Sequence, residues 1–160
     1  MEHECFASPL NCYLSAYNSA FDDTDLPFAS RGSFWKQQVD QTGGSFQVNP
    51  PFLASVMLAM VNKIEKLLDG QSGEVPLSFA ITIPGWCEDD CFQRCNISKY
   101  QKQKIVISRK DHGFCDGAQH QRRDRFRESP YDTAIFVLQN AAGAAKWPTS
   151  KEMDHELRRA

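Results

Sequence analysis

The chain has 160 residues, 41% of them hydrophobic, with a formal net charge of −2. That length suits one core of common domain size, and that composition suits an ordinary globular domain. No apolar run is long enough to span a bilayer as a helix, and Met1-Glu2-His3-Glu4 lacks the basic start and apolar core of a secretory leader, so the expectation is an intracellular chain with reduced thiols and no membrane partner.

In chain order, residues 4–7 read as a short strand entering a Ser8-Pro9 turn, 11–19 as a helix, and 20–21 as a second strand ending in acids. Residues 26–44 form a loop region punctuated by Pro and Gly. Residues 45–48 alternate as a strand. Residues 53–68 then repeat with helical period, placing Val56, Met60, Ile64, Leu67 and Leu68 on one face. After a Gly/Ser-rich connection at 69–75, residues 77–83 are a near-continuous apolar run, as in a strand buried on both faces of a parallel sheet. Residues 91–100 read as a short helix or irregular segment, and 104–108 and 133–139 as two further strands. Strands alternating with helices, and closing in two strands with no apolar helix between them, predict an open α/β sheet with a terminal antiparallel hairpin. No internal repeat is visible. The domain is expected over 1–148, with a charged tail at 149–160.

Charge is uneven. Residues 99–127 hold nine Lys or Arg against Asp111, Asp116 and Asp124, so the rest of the chain is net acidic. Such a region suits a surface that tracks phosphates, with Arg122, Arg123 and Arg125 at its centre and Phe114 and Phe126 interleaved for stacking. A solvated loop between strands is the alternative.

Asn49-Pro50-Pro51-Phe52 joins the strand at 45–48 to the helix at 53–68. An exocyclic adenine amine is a poor nucleophile because its lone pair is delocalised into the ring. An Asn side-chain oxygen and the carbonyl of the next residue can accept its two N–H bonds and turn the lone pair out of plane, while an aromatic ring supports the base. Two prolines fix φ and remove N–H donors, leaving a rigid loop with free carbonyls. An ordinary strand-to-helix turn is the competing explanation of the four residues alone.

Several separated segments occur in one order. They are residues 4–13 (Glu-Cys-Phe-Ala-Ser-Pro-Leu-Asn-Cys-Tyr), 19–25, 30–32, Ser45-Phe46, Asn49 to Phe52, 76–79, Ile83-Pro84, Trp86, Gln119-His120, Thr133-Ala134, 138–140 and 145–147. In this set the chain resembles the catalytic part of the phosphorylated-CTD-interacting factor family over most of its length. The resemblance implies a Rossmann-like methyltransferase core with a mostly parallel sheet. It implies transfer of a methyl group from S-adenosylmethionine to an adenosine N6 amine in RNA beside the cap of mRNA. It also implies a nuclear protein, and an RNA polymerase II tail as partner of longer relatives. The family's WW domain and large helical region are expected to be absent from these residues.

In open α/β sheets ligands lie beyond the carboxyl ends of the strands. The expected donor site is Glu4, Phe6, Ser8 and Pro9 after the first strand, Asp23 or Asp25 for the ribose, and Asn49. The expected catalytic loop is Asn49, Pro50, Pro51 and Phe52. The expected acceptor contacts are Phe52, Trp86, Glu88, His120, Arg122, Arg123 and Arg125. No glycine-rich phosphate loop is present; Phe6-Ala7-Ser8-Pro9 stands in its place. Two positions depart from the family pattern. Cys87-Glu88-Asp89-Asp90 follows Trp86 where the family has Arg-Glu-Pro, and Ala54 replaces an acid that touches substrate.

Cys87, Cys91 and Cys95 are spaced by four, as for one face of a helix. Free thiols are expected there rather than a metal site. Two alternatives to the RNA methyltransferase remain open: a degenerate fold that binds RNA or protein without turnover, and a DNA adenine-N6 methyltransferase.

Overall fold

The computed structural model describes residues 1–38, 42–70, 74–115 and 126–150. A mixed sheet of five strands forms its centre: β1 (His3–Glu4), β2 (Gly44–Val48), β3 (Leu77–Pro84), β4 (Gln101–Ile107) and β7 (Thr133–Gln139). Their spatial order is β1-β2-β3-β7-β4. β1, β2 and β3 run parallel, while β7 is inserted antiparallel to both β3 and β4. Single parallel rungs extend the sheet beyond β1, from Glu4 to Tyr17 and from Tyr17 to Ser30. A separate hairpin pairs β5 (Gly113–Cys115) with β6 (Phe126–Glu128). The expected α/β class and closing antiparallel pair are thus observed, with a two-stranded ribbon between β4 and β7.

The long helix α2 (Ala54–Gly70) buries Met57, Met60, Val61, Ile64 and Leu68 against the sheet's Phe46, Val48, Phe79, Ile81, Phe136 and Leu138. Fully burying one such side chain contributes about 1.5–3 kcal/mol, so this helix is a principal source of stability. A buried carboxylate ties it to α3 (Asp90–Ile97). Glu65 accepts from Arg94 Nε at 2.6 Å and from Ser98 Oγ at 2.6 Å. Asp89 caps α3 by accepting from Cys91 N at 2.9 Å. α4 (Ala141–Lys146) begins at Asn140, whose Oδ1 accepts from both Gly143 N and Leu77 N and locks that helix to β3. Gly43 leads into β2 at φ 71°, so close to Pro76 that an added Cβ would stand 2.1 Å from its carbonyl oxygen.

The 77–83 run is not equally buried on its two faces. Leu77, Phe79, Ile81 and Ile83 enter the core, while Ala80 and Thr82 on the opposite face are half-buried. The 11–19 segment is not a helix. Glu4 accepts from Tyr13 N at 2.6 Å and from Leu14 N, while Asn11 Oδ1 accepts from Ser8 N at 2.7 Å. These side chains take the amides into turns, and Tyr17 is left extended as a rung of the sheet. Residues 20–21 form no strand, and the acids after them open a single helical turn, α1 (Asp22–Asp25). Of the tail expected at 149–160, residues 151–160 lie outside the described residues.

Candidate functional site

From β1 the chain steps outward through Tyr17 to Ser30 and then returns on the other side of β1 as β2. That reversal makes the gap between β1 and β2 a topological switch point, where open α/β sheets leave a crevice at the strands' carboxyl ends. A cleft of about 780 Å3 opens there. Phe6, Ala7 and Ser8 after β1, Ser19 and Ala20 after the Tyr17 rung, and Ser33 to Trp35 form one side. Asn49, Pro50, Pro51 and Phe52 after β2 form the other, with Val56 of α2 and with Phe114 and Arg127 from the β5–β6 hairpin.

The Asn49 loop is held by backbone. Gly44 to Val48 pair in register with Leu77 to Ile81. Beyond the motif Leu53 N donates to the Pro51 carbonyl at 2.8 Å, and Met57 N donates to the Leu53 carbonyl at 2.9 Å as α2 begins. Pro50 is buried and Asn49 exposed to the cleft. Among the described residues no hydrogen bond engages the Asn49 side chain or the Pro50 carbonyl, so both acceptors are uncommitted. Phe52 is half-buried and sits in a chain of edge-on rings. Phe114 lies 6.4 Å and Tyr131 5.9 Å from it, and Trp86 lies 5.3 Å beyond Tyr131. Trp86 therefore reaches the motif through Tyr131 rather than directly.

The opposite side is held by side chains. Phe6, Phe34 and Trp35 pack together with ring centroids 4.8–6.0 Å apart. Lys63 of α2 donates to the carbonyls of Trp35 at 2.8 Å and Gln37 at 3.0 Å, and its ammonium stands 5.3 Å from the Phe34 ring centre. Desolvation lowers the Lys63 pKa, opposed by the nearby Cys5. Burial pushes the Cys5 thiol up, so that sulfur stays protonated at the floor of the cleft.

Phe6, Ser8, Asn49, Pro50, Pro51 and Phe52 thus meet in one cleft. Other expected residues stand elsewhere. The Glu4 carboxylate is buried and committed to the turn at Tyr13 and Leu14. Pro9 adjoins the lining without joining it, and Asp23 and Asp25 lie on α1 outside it. Glu88 is exposed in the turn before α3. His120, Arg122, Arg123 and Arg125 lie outside the described residues. Cys91 and Cys95 are buried in α3 and Cys87 is exposed; among the described residues no group of His, Cys, Asp or Glu is arranged to hold a metal ion. Sequence reasoning did not place Trp35, Lys63, Tyr131 or Arg127 at the site. Only their aromatic or basic character hinted at it, since each arrives from a distant segment.

Among the described residues no helix is long and apolar enough to cross a membrane. A family model described as the phosphorylated CTD interacting factor 1 WW domain matches residues 1–117, which here run from β1 past β5. A Mus musculus protein named mRNA (2'-O-methyladenosine-N(6)-)-methyltransferase is 41% identical over 160 residues, covering 96% of this chain and 22% of the mouse protein. A Homo sapiens protein of the same name is 39% identical over 158 residues, with the same coverage of 96% and 22%. The chain therefore spans 22% of the length of these curated relatives.

Proposed function

The chain belongs to the phosphorylated CTD interacting factor 1 family, and on that premise we propose that it is the methyl-transfer core of an RNA adenosine-N6 methyltransferase. The observation that carries the reading is the pair of uncommitted acceptors, Asn49 Oδ1 and the Pro50 carbonyl, on residues that line a cleft at the switch point of the sheet. In this reading the two oxygens hold the two N–H protons of the adenine amine. The lone pair then points along the cleft toward Phe6 and Ser8. Phe52 supports the base, and Phe114 and Tyr131 fix the ring of Phe52. The rigid prolines keep the oxygens from reorganising as charge develops, the condition under which preorganised groups act most strongly.

The strand order supports a Rossmann-like methyltransferase core. Counted from the outer rung it runs Ser30, Tyr17, β1, β2, β3, β7, β4, with the antiparallel β7 next to the last position. S-adenosylmethionine, when bound, supplies an electrophilic methyl group on a sulfonium that departs as a neutral thioether. The residues present fit it. The cleft lies within the 300–1,000 Å3 range of small-ligand sites. Its β1 side combines aromatic surface at Phe6, Phe34 and Trp35 with hydroxyls at Ser8, Ser19 and Ser33. In this reading the donor ribose would meet the Ser19–Ser33 side, without Asp23 or Asp25, which lie outside the lining. The acceptor is proposed to be capped mRNA and the location the nucleus, and the family model's description is consistent with a polymerase-tail partner for longer relatives.

A second reading is a fold that binds RNA without turnover. Ala54 stands at the exposed start of α2, where the resemblance leads one to expect an acid. Calorimetric titration with S-adenosylmethionine, followed by transfer of labelled methyl to capped RNA or to DNA, separates the readings. Donor binding with transfer to capped RNA supports the enzyme. Absence of donor binding would overturn it, and preference for DNA would reassign the acceptor.

A further inference from the structure

We propose that Arg127 is a phosphate-binding residue for the RNA acceptor, an assignment that rests on the methyl-transfer reading above. Arg127 is the one cation among the described residues lining the cleft, and no Asp, Glu or Lys lines it. Its side chain is exposed and, among the described residues, has no ion-pair partner. Among the described lining residues no acid offsets its charge. A guanidinium beside a site of modest polarity suits a phosphodiester, two of whose oxygens it can grip with two parallel N–H bonds.

Its position selects the acceptor side. Arg127 pairs directly with Phe114 across the β5–β6 ribbon, and residues directly opposite each other share a face. Phe114 is the residue whose ring rests 6.4 Å from that of Phe52. The ribbon thus carries the guanidinium and the ring that backs the target base together. The hydroxyls of Ser8 and Ser19 lie with the other wall. Fixed bonds hold the ribbon's base. His112 Nδ1 lies 2.8 Å from the Ser108 carbonyl and its Nε2 lies 2.7 Å from Thr133 Oγ1, while Ser129 N donates to the His112 carbonyl at 3.3 Å. A nucleotide whose base rests on Phe52 leads its backbone toward this ribbon.

The test uses the full 160-residue chain and a 5′-capped single-stranded RNA beginning with adenosine, titrated by fluorescence anisotropy at several salt concentrations. Donor affinity is measured in parallel by calorimetry. Arg127→Gln should weaken RNA binding on the order of tenfold, as for loss of a charge-assisted bond. It should flatten the plot of log affinity against log salt by roughly 0.7, the value for one single-strand phosphate, and leave donor affinity unchanged. Arg127→Lys should keep the slope, because the charge remains, and recover part of the affinity. An unchanged RNA affinity and slope in Arg127→Gln would overturn the assignment. So would a loss confined to donor affinity, which would give Arg127 to the donor's carboxylate. If the unsubstituted chain binds neither donor nor RNA, the methyl-transfer reading itself falls, and this inference with it.

Discussion

The wall of the cleft that carries Asn49 hangs from regular structure, whereas the wall opposite it hangs from individual side chains. Asn49 to Phe52 lie between a strand paired over five residues and a helix of 17, with two prolines in the loop. Phe6 to Ser8 and Phe34 to Trp35 lie in turns fixed by Glu4, Asn11 and Lys63. In the first wall a side chain can change without the loop moving, so substitution there should alter chemistry and spare the fold. In the second wall the side chain is the scaffold, so substitution should alter shape and stability together.

The largest effect is expected at Asn49. Among the described residues its amide makes no hydrogen bond that the folded state would lose. Asn49→Ala should lower turnover about a hundredfold or more, the scale for removing a preorganised polar group, with midpoint of unfolding and donor affinity nearly unchanged. Full transfer activity in purified Asn49→Ala would break the comparison on its catalytic side. Glu4 is the counterpart on the other wall. Glu4→Ala takes the charged acceptor from the amides of Tyr13 and Leu14, and a hydrogen bond to a charged group contributes about 1.5–3 kcal/mol. Chemical denaturation should show a loss of about 2–3 kcal/mol, with weaker donor binding in the folded fraction. If stability holds while only turnover falls, Glu4 belongs to the chemistry rather than to the scaffold.

The same contrast explains what was legible in the sequence. The strand at 133–139, the β2 strand, the long helix and the 77–83 strand carry their signal in local periodicity, and all four stand where that signal puts them. The motif between β2 and α2 was legible because its neighbours are regular. The 11–19 segment was not, because the groups that decide its shape are remote in sequence. Glu4 reaches nine and ten residues ahead to capture two amides. With that helix lost, the outer strand shrinks to the Tyr17 rung, and Asp23 and Asp25 shift onto a helical turn away from the cleft. Trp35, Tyr131 and Arg127 reach the site across 14 or more residues each from the Asn49 loop, a placement no spacing rule reveals.

A smaller effect sharpens the regular wall. If Phe52 supports a base, Phe52→Ala should weaken RNA binding by about 1–3 kcal/mol while the chain stays folded. Phe52→Tyr should retain binding, since it keeps the aromatic face. Tyr131→Ala should reproduce part of the loss, because it removes the ring that stands 5.9 Å from Phe52 and 5.3 Å from Trp86, and Tyr131→Phe should restore it. Anisotropy with capped RNA reads all four. A Phe52→Ala variant that unfolds, yet binds normally in its folded fraction, would make Phe52 a core residue.

The smallest effect belongs to the scaffolded wall and is read by pH. His3 of β1 is buried, with Nε2 2.6 Å from Oδ1 of Asn18, whose carbonyl accepts from Ala7 N of that wall. Desolvation lowers its pKa below the ordinary 6.5; the bond to Asn18 and the charge of Glu4 oppose the shift, and Arg31 adds to it. The folded protein therefore resists the proton that the unfolded chain accepts. Above pH 6.5 both states hold His3 neutral and it adds no pH dependence. As pH falls through 6.5 the unfolded state binds the proton first, so stability declines until the folded His3 titrates as well. His3→Gln keeps a donor for Asn18 and removes the titration. Its stability between pH 7 and pH 5 should accordingly be flatter than that of the unsubstituted chain. Parallel curves over that range would show that His3 stays as solvated as in the unfolded chain, and would remove the buried His3–Asn18 contact from the supports of the second wall.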